Sequence, residues 1–304
     1  MANTAPVRKK KRFWTMERQQ SAAGWAFLAP ATILIFIFSF WPMFQAMLIS
    51  LKKGLPTQLV YSDPLFRNYQ FMLKDKVFIQ SVTNTFTYLI IQVPIMLILA
   101  IILASLLNNK DLKFRGLFRT CIFLPCATGL VAYSMIFRTM FDLDGMVNGV
   151  LMNLNIIDAR INWLNNPNTA KAVIIIGLIW RWTGYNMVFF LSGMQGIEYS
   201  IYEAARIDGA NQFQQLIRIT VPLLKPIILV TGIMSTNGTL QLFDESVNLT
   251  KGGPANTTIT MSHYIYNKMF IGNPNFGYAA AMSFVILIMV AILSAIETKV
   301  GDKR

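Results

Sequence analysis

Residues 199–226 read YSIYEAARIDGANQFQQLIRITVPLLKP. Polar and apolar residues are mixed here, and long apolar runs flank the stretch on both sides. Ser200, with Glu203 three residues on, has the spacing of a capping box, which predicts a helix starting there. Ala204, Ala205, Arg206 and Ile207 suit a short helix, and Gly209 can take the left-handed conformation that ends one. Asn211 can cap a second helix with Gln214 as its partner, and on it Phe213, Leu216, Ile217 and Thr220 recur at helical spacing. Pro222 and Pro226 then punctuate entry to the next apolar run. The segment predicts two short helices at an angle, lying between two membrane spans.

The surrounding chain supports that frame. Of 304 residues, 54% are apolar and only 13% charged, about half the usual soluble share of charge. Mean hydropathy is +0.48. A soluble domain could not hide this much apolar surface, and the same numbers exclude disorder. Two cysteines exclude a disulfide scaffold. A bilayer core takes about 20 apolar residues per helix. Six runs qualify: Gly24 to Leu51, Asn84 to Leu107, Gly116 to Phe137, Ala172 to Gly196, Pro226 to Phe243 and Phe276 to Ile296. They are continuously apolar rather than alternating, so helices are expected and not barrel strands. Pro30, Pro42 and Pro94 fall inside spans, where they can mark kinks. The first run is too long for a cleaved signal peptide and is expected to stay as an anchor.

Lysine and arginine counts orient the chain. With the N-terminus in the cytoplasm, residues 1–23, 108–119, 198–225 and 298–304 hold 16 basic residues in 70. The opposite segments (52–83, 138–171 and 244–277) hold 10 in 100. The bias places both termini inside. The run Arg8, Lys9, Lys10, Lys11 and Arg12 supplies much of it, either as a stop against translocation or as a site for anionic lipid. The net charge of +13 sits in short clusters between spans, so no nucleic-acid partner is expected. The expected organisation is a basic tail (1–23), a first span (24–51) and an external segment (52–83). A core of spans two to six (84–297) follows, containing the loop 198–225, and then a cytoplasmic tail (298–304).

The stretch EAARIDGA followed by ITVPLLKP resembles the EAA loop of bacterial ABC-importer permeases. The match rests on Glu203, Ala204, Ala205, Asp208, Gly209, Ala210, Pro222 and Pro226, with Leu216 where the family commonly has phenylalanine. The residues Phe66–Tyr88, IFLPCATGL (Ile122–Leu130), WLNNPNTA (Trp163–Ala170) and LTKGGP (Leu249–Pro254) extend the likeness over nearly the whole chain. They are similar to the sugar-transporting, maltose-type branch, and there to the first of its two permeases. The resemblance implies an all-α integral membrane protein of the type I importer fold, with six transmembrane helices and a two-helix coupling loop, in the bacterial inner membrane. It implies a heterodimer with a second EAA-bearing permease, two ATPase subunits that carry ATP and Mg, and an external solute-binding protein. It assigns Glu203, Ala204, Ala205, Asp208, Gly209 and Ala210 to ATPase coupling. Aligned through LTKGGP, it places Cys126, Leu130, Trp180, Thr183, Gly184, Met187, Ser235, Gly238, Thr239 and Leu242 on the family's substrate path.

Two of these places are also marked by their own chemistry. Arg181 stands about 15 Å into span four from Lys171, flanked by Trp180, Trp182, Thr183, Gly184, Tyr185 and Asn186. A charge at that depth usually faces the bundle interior or a wet cavity. It either meets substrate, snorkels outward, or pairs with Asp244 or Glu245. Span five carries Ser235, Thr236, Asn237, Thr239 and Gln241, with Ser235, Thr239 and Leu242 on one face. Such residues line a pocket for a polyol or join helices to each other.

Other chemistry finds little footing. Cys121 and Cys126 read as small packing residues. His263 is the only histidine, and no G-x-x-x-x-G-K-[ST] phosphate loop occurs, so no metal, cofactor or ATP site is expected in this chain. The reading is a permease subunit, not an enzyme, importing a disaccharide or oligosaccharide with a separate ATPase. The alternative cargo is a phosphorylated molecule such as a glycerol phosphodiester, kept open by Arg181. An intramembrane enzyme would need paired carboxylates or a nucleophile–base pair at membrane depth. A secondary carrier would need inverted repeats. Neither pattern is evident.

Overall fold

The computed structural model describes residues 16–54, 57–109 and 111–301. The basic run Arg8–Arg12 and the last residues of the C-terminal tail lie outside them. Helix α1 comprises Met16–Ile35, a π turn over Phe36–Phe40 and Trp41–Ser50. Pro42 explains the π turn: its ring opposes the carbonyl four residues back and brings no N–H, so the helix widens just before it. A small antiparallel hairpin follows, β1 (Lys52–Lys53) and β2 (Val60–Tyr61), with Lys52 opposite Tyr61. Helices α2 (Arg67–Met72) and α3 (Lys76–Asn108) come next. At 33 residues, α3 is about 50 Å long, and it starts two turns before the apolar run expected at Asn84.

The third expected span is not one helix. It divides into α4 (Arg115–Ala127) and α5 (Leu130–Met140), bent by 98°. Pro125 removes a hydrogen bond inside α4, and Thr128 and Gly129 are both extended, so the ladder cannot continue. Helix α6 (Met146–Asn153) precedes α7 (Pro167–Gln195), which is the fourth span. Then come α8 (Tyr199–Ile207), α9 (Gln212–Leu223) and α10 (Lys225–Leu240), with 72° between the last two. Short helices α11 (Asp244–Asn248) and α12 (Met261–Phe270) lead to α13 (Phe276–Gly301). Among the described residues four helical stretches are each long and apolar enough to cross a bilayer, and counting each of the two bent pairs as one span gives six.

Helices α3 and α7 form the centre. Ala100, Ala104, Met187, Phe190, Leu191 and Met194 pack near one end, and Tyr88, Val173, Ile174 and Leu178 pack with Tyr133, Phe137 and Phe141 near the other. The small alanines allow close approach where no hydrophobic force acts between helix and lipid. Helix α13 closes the other side of α3 through Tyr278, Ala279 and Met282 against Met72 and Phe78. The membrane-length part of α1 is unburied by the rest of the chain. Its end is tied down, because Asn68 Nδ2 donates to the Ser50 and Lys52 carbonyls at 2.8 Å each.

One carboxylate ties three elements together. Asp75 caps α3, accepting from the Val77 and Phe78 amides at 3.0 and 3.4 Å. Its other oxygen accepts from the Tyr264 hydroxyl of α12 at 2.6 Å and the Tyr278 hydroxyl of α13 at 2.8 Å. Burial pushes its pKa up, but these four hydrogen bonds outweigh burial and hold it below its ordinary value.

Candidate functional site

The loop between α7 and α10 has the expected two helices at an angle. Its first start signal is corrected. Helix α8 begins at Tyr199 after an extended Glu198 that makes no side-chain cap, so Ser200 sits inside the first turn. The second signal holds: the Asn211 side chain accepts from the Gln214 amide at 2.8 Å, and Gln214 accepts from the Asn211 amide at 2.9 Å. Gly209 has φ +80°, so the chain turns between the two helices in the left-handed region. Tyr202 and Thr220 hydroxyls meet at 2.9 Å and clamp α8 to α9. A π turn over Leu216–Thr220 precedes Pro222, the same device that precedes Pro42.

The loop displays its motif. Glu203, Ala204, Asp208 and Gly209 are exposed, and Ala205 and Ala210 are half-buried. Beside them stand uncovered apolar side chains, with Ile207 87% exposed and Phe213 69%.

A cavity of about 310 Å³ opens between α3, α7 and α10. Gln92, Trp182, Tyr185, Asn186, Ser235 and Thr239 provide much of its polar and aromatic lining, and Asp244 and the buried Glu245 also line it. Thr239 Oγ1 lies 3.1 Å from Gln92 Oε1, and Asn186 Nδ2 donates to the Trp182 carbonyl at 3.0 Å. The lining includes two carboxylates and no basic side chain. Amides, hydroxyls and indole faces in one recess can bind hydroxyls directionally and stack on C–H surfaces.

The chain matches the family described as the binding-protein-dependent transport system inner membrane component over residues 73–302. It belongs to that family. It is 49% identical to the lactose transport system permease LacF of Rhizobium radiobacter, over 95% of this chain and 97% of that protein. It is 32% identical to the arabinooligosaccharide transport system permease AraP of Bacillus subtilis, over 93% and 89% of the two chains. It is also 33% identical to the sulfoquinovosyl glycerol transport system permease SmoG of Agrobacterium fabrum, over 90% and 88%. The fold is that of a chain in a bacterial alginate ABC transporter solved with an alginate pentasaccharide-bound periplasmic protein. The TM-score there is 0.82, with 96% and 98% coverage at 23% identity. The chain is thus a permease subunit of the inner membrane with the type I importer fold.

Within this permease the structure divides the residues expected on the path. Leu130, Ser235, Gly238, Thr239 and Leu242 line the cavity. Cys126, Trp180, Arg181, Thr183, Gly184 and Met187 do not. Gly184 lies against the Ile122 backbone, where a Cβ would collide with the carbonyl. Met187 is in the core, and Thr183 Oγ1 bonds back to the Ile179 carbonyl at 2.6 Å. Trp180 stacks on Tyr133 at 6.0 Å. The lining face of α7 is instead Leu178, Trp182, Tyr185 and Asn186, spaced as one helical stripe. Arg181 is 6% exposed, with its guanidinium 5.2 Å from the Tyr133 ring and 5.6 Å from the Trp182 ring. Its Nε and Nη1 have no hydrogen-bond partner. The arginine is buried, so it does not snorkel; it makes no close ion-pair contact with Asp244 or Glu245, but its charge acts on the buried Glu245 carboxyl, whose pKa burial raises.

Gln92 was not anticipated, and Glu245 was anticipated only as a partner for Arg181. Gln92 carried a signal, since it is the one amide in the apolar run of residues 88–107. Cys121 is exposed on α4 rather than packed, and Cys126 is half-buried.

Proposed function

We propose that the chain is the cargo-path subunit of an ABC importer for a neutral disaccharide or oligosaccharide. The observation that carries the cargo reading is the cavity lining: amides, hydroxyls and indole together with carboxylates. Named relatives that carry lactose and arabinooligosaccharides agree with it. A phosphodiester is disfavoured because Asp244 would repel it and no lining cation would attract it.

In this reading both termini face the cytoplasm and the loop 198–225 docks on a separate ATPase subunit, where ATP and Mg are held. A second EAA-bearing permease completes the membrane path, and an external binding protein delivers cargo. The residues Glu203 to Ala210 form the contact, with Ile207 and Phe213 supplying its apolar anchors. ATP binding closes the ATPase pair, and the clamped α8–α9 unit passes that motion to α10 and so to the cavity wall. The switch is two-state, biased by ligands with unequal affinity for the states.

Two measurements test this. Proteoliposomes holding the whole importer should take up lactose with ATP and binding protein, and should ignore glycerophosphodiesters; the reverse preference refutes the cargo reading. A cysteine at Ala205 should crosslink to the docking groove of the ATPase in a nucleotide-dependent way. An importer that transports normally yet never yields that crosslink refutes the coupling assignment.

A further inference from the structure

A second cavity, of about 500 Å³, lies beside the first. Both volumes are within the range of small-molecule sites, roughly 300–1,000 Å³. It sits between α5, α11 and α12, toward the external side in the orientation proposed above. The two cavities meet at one ring. Phe243 lines the inner cavity, while His263 and Tyr266, edge-on to it at 6.2 and 5.2 Å, line the second. Leu130 and Val131, adjacent in sequence, likewise face one cavity each.

The second cavity has unmet hydrogen-bonding demand. Ser134 is 1% exposed, yet its Oγ has no partner, and the buried Asn267 Oδ1 has none either. Both residues line the space. Unpaired buried polar atoms are costly, and a ligand seated here recovers that cost when these two side chains turn toward it. Their chemistry narrows the ligand. The Asn267 amide offers both an acceptor and donors, which a sugar hydroxyl can meet from either side. Arg138 and Lys251 offer donors to hydroxyl oxygens, and no carboxylate lines the space to neutralise them. Tyr266 presents a ring for C–H faces. His263 meets Ser246 Oγ through Nδ1 at 2.8 Å, and burial lowers its pKa, so it is a neutral hydrogen-bonding group.

We propose that this outer cavity is a second saccharide site, an antechamber upstream of the inner cavity, with the Phe243 ring as the partition between them. The inference rests on the carbohydrate reading above and adds a site and a gate to it. Cargo leaving the binding protein is held at Arg138, Asn267 and Tyr266 before Phe243 turns aside.

The test uses the whole importer in proteoliposomes with lactose as probe. Cysteines are introduced singly as Asn267→Cys and Met135→Cys in the outer cavity, and as Met146→Cys outside it. Labelling by a membrane-impermeant maleimide is quantified at each introduced position, without ATP or binding protein. Lactose at about ten times its Kd should slow labelling of both outer-cavity cysteines about tenfold, by simple occupancy. Met146→Cys should be unaffected, and iso-osmotic glycine betaine should protect none. Unprotected outer-cavity cysteines in an importer that transports lactose overturn the antechamber and leave the carbohydrate reading intact. If the parent importer takes up neither lactose nor arabinotriose, the carbohydrate reading fails and this site falls with it. For the partition, Phe243→Ala should lose the ATP requirement for lactose counterflow; a variant as tight as the parent refutes the gate.

Discussion

Asp75→Ala should destabilise the protein through losses that can be counted from the structure. The substitution removes an N-cap with two amide bonds and strands two phenol donors. A cap is worth about 1 kcal/mol. A hydrogen bond to a charged group is worth about 1.5–3 kcal/mol. Asp75 is half-buried, so solvent screening favours the low end, and the total expected loss is about 4 kcal/mol. Asp75→Asn keeps an oxygen for the cap and should lose only about half of this. Tyr264→Phe and Tyr278→Phe should each couple to Asp75 in a double-mutant cycle, whereas a distant change such as Met146→Ala should simply add. The assay is denaturation in mixed micelles followed by tryptophan fluorescence. The pH dependence has a fixed sign. Because the folded carboxyl is held below its ordinary value, its contribution is full above the unfolded pKa of about 4 and is lost as pH falls through the lower folded value. A loss below about 0.5 kcal/mol in Asp75→Ala, or equal pH slopes in parent and variant, would refute the reasoning.

Three further outcomes are expected. Gly209→Val meets no neighbour within 4 Å of its Cβ but must adopt φ +80°. The local cost is about 1–2 kcal/mol, so insertion should be normal while coupled uptake falls about fivefold to thirtyfold; full uptake would show that the turn does not set the docking geometry. Arg181→Met removes a buried charge with two unpaired nitrogens, so stability should hold or rise by about 1 kcal/mol. If the arginine is kept for transport, uptake falls in the same variant, and a destabilised protein with normal uptake would reverse that conclusion. Gln92→Leu deletes the Thr239 partner at the cavity wall, so it should weaken cargo affinity while ATPase docking, read by the Ala205 crosslink, is unchanged.

Much of this architecture was legible because lipid imposes length and apolarity on a span. The six runs and the Asn211–Gln214 box could be read one residue at a time, since each depends on neighbours in sequence. What escaped depends on partners far along the chain. Asp75 reads as an ordinary cap until Tyr264 and Tyr278, 189 and 203 residues on, are seen to share its oxygen. The face of α7 that lines this cavity differs from the aligned one for a similar reason. Transferring positions by alignment chose Trp180, Thr183, Gly184 and Met187, and only packing shows that Gly184 meets α4 and Met187 meets α3. The break in span three was half-visible in Pro125 and Gly129. Composition alone treats that run as one helix, because a turn with extended Thr128 changes its direction without changing its hydropathy.

The positions of the breaks bear on why the cavity lies where it does. Backbone that leaves the helix at membrane depth exposes unpaired N–H and C=O groups, which lipid cannot satisfy. Such backbone persists where protein or water covers it. In this permease the extended pair Thr128–Gly129 leads directly into Leu130, and helix α10 ends at Leu240 just before Gln241, Leu242 and Phe243. All four of those side chains line the inner cavity. The two interrupted spans therefore bring their irregular backbone to one place, between continuous α3 and α7. Here protein covers much of it: the Thr128, Gln241 and Leu242 amides donate to the Pro125, Asn237 and Thr239 carbonyls, and the Leu242 carbonyl accepts from Thr260 Oγ1. Spans three and five supply the interrupted wall, α3 and α7 the continuous frame. The 72° corner at Leu224 joins that wall to the exposed loop that carries Glu203 and Gly209.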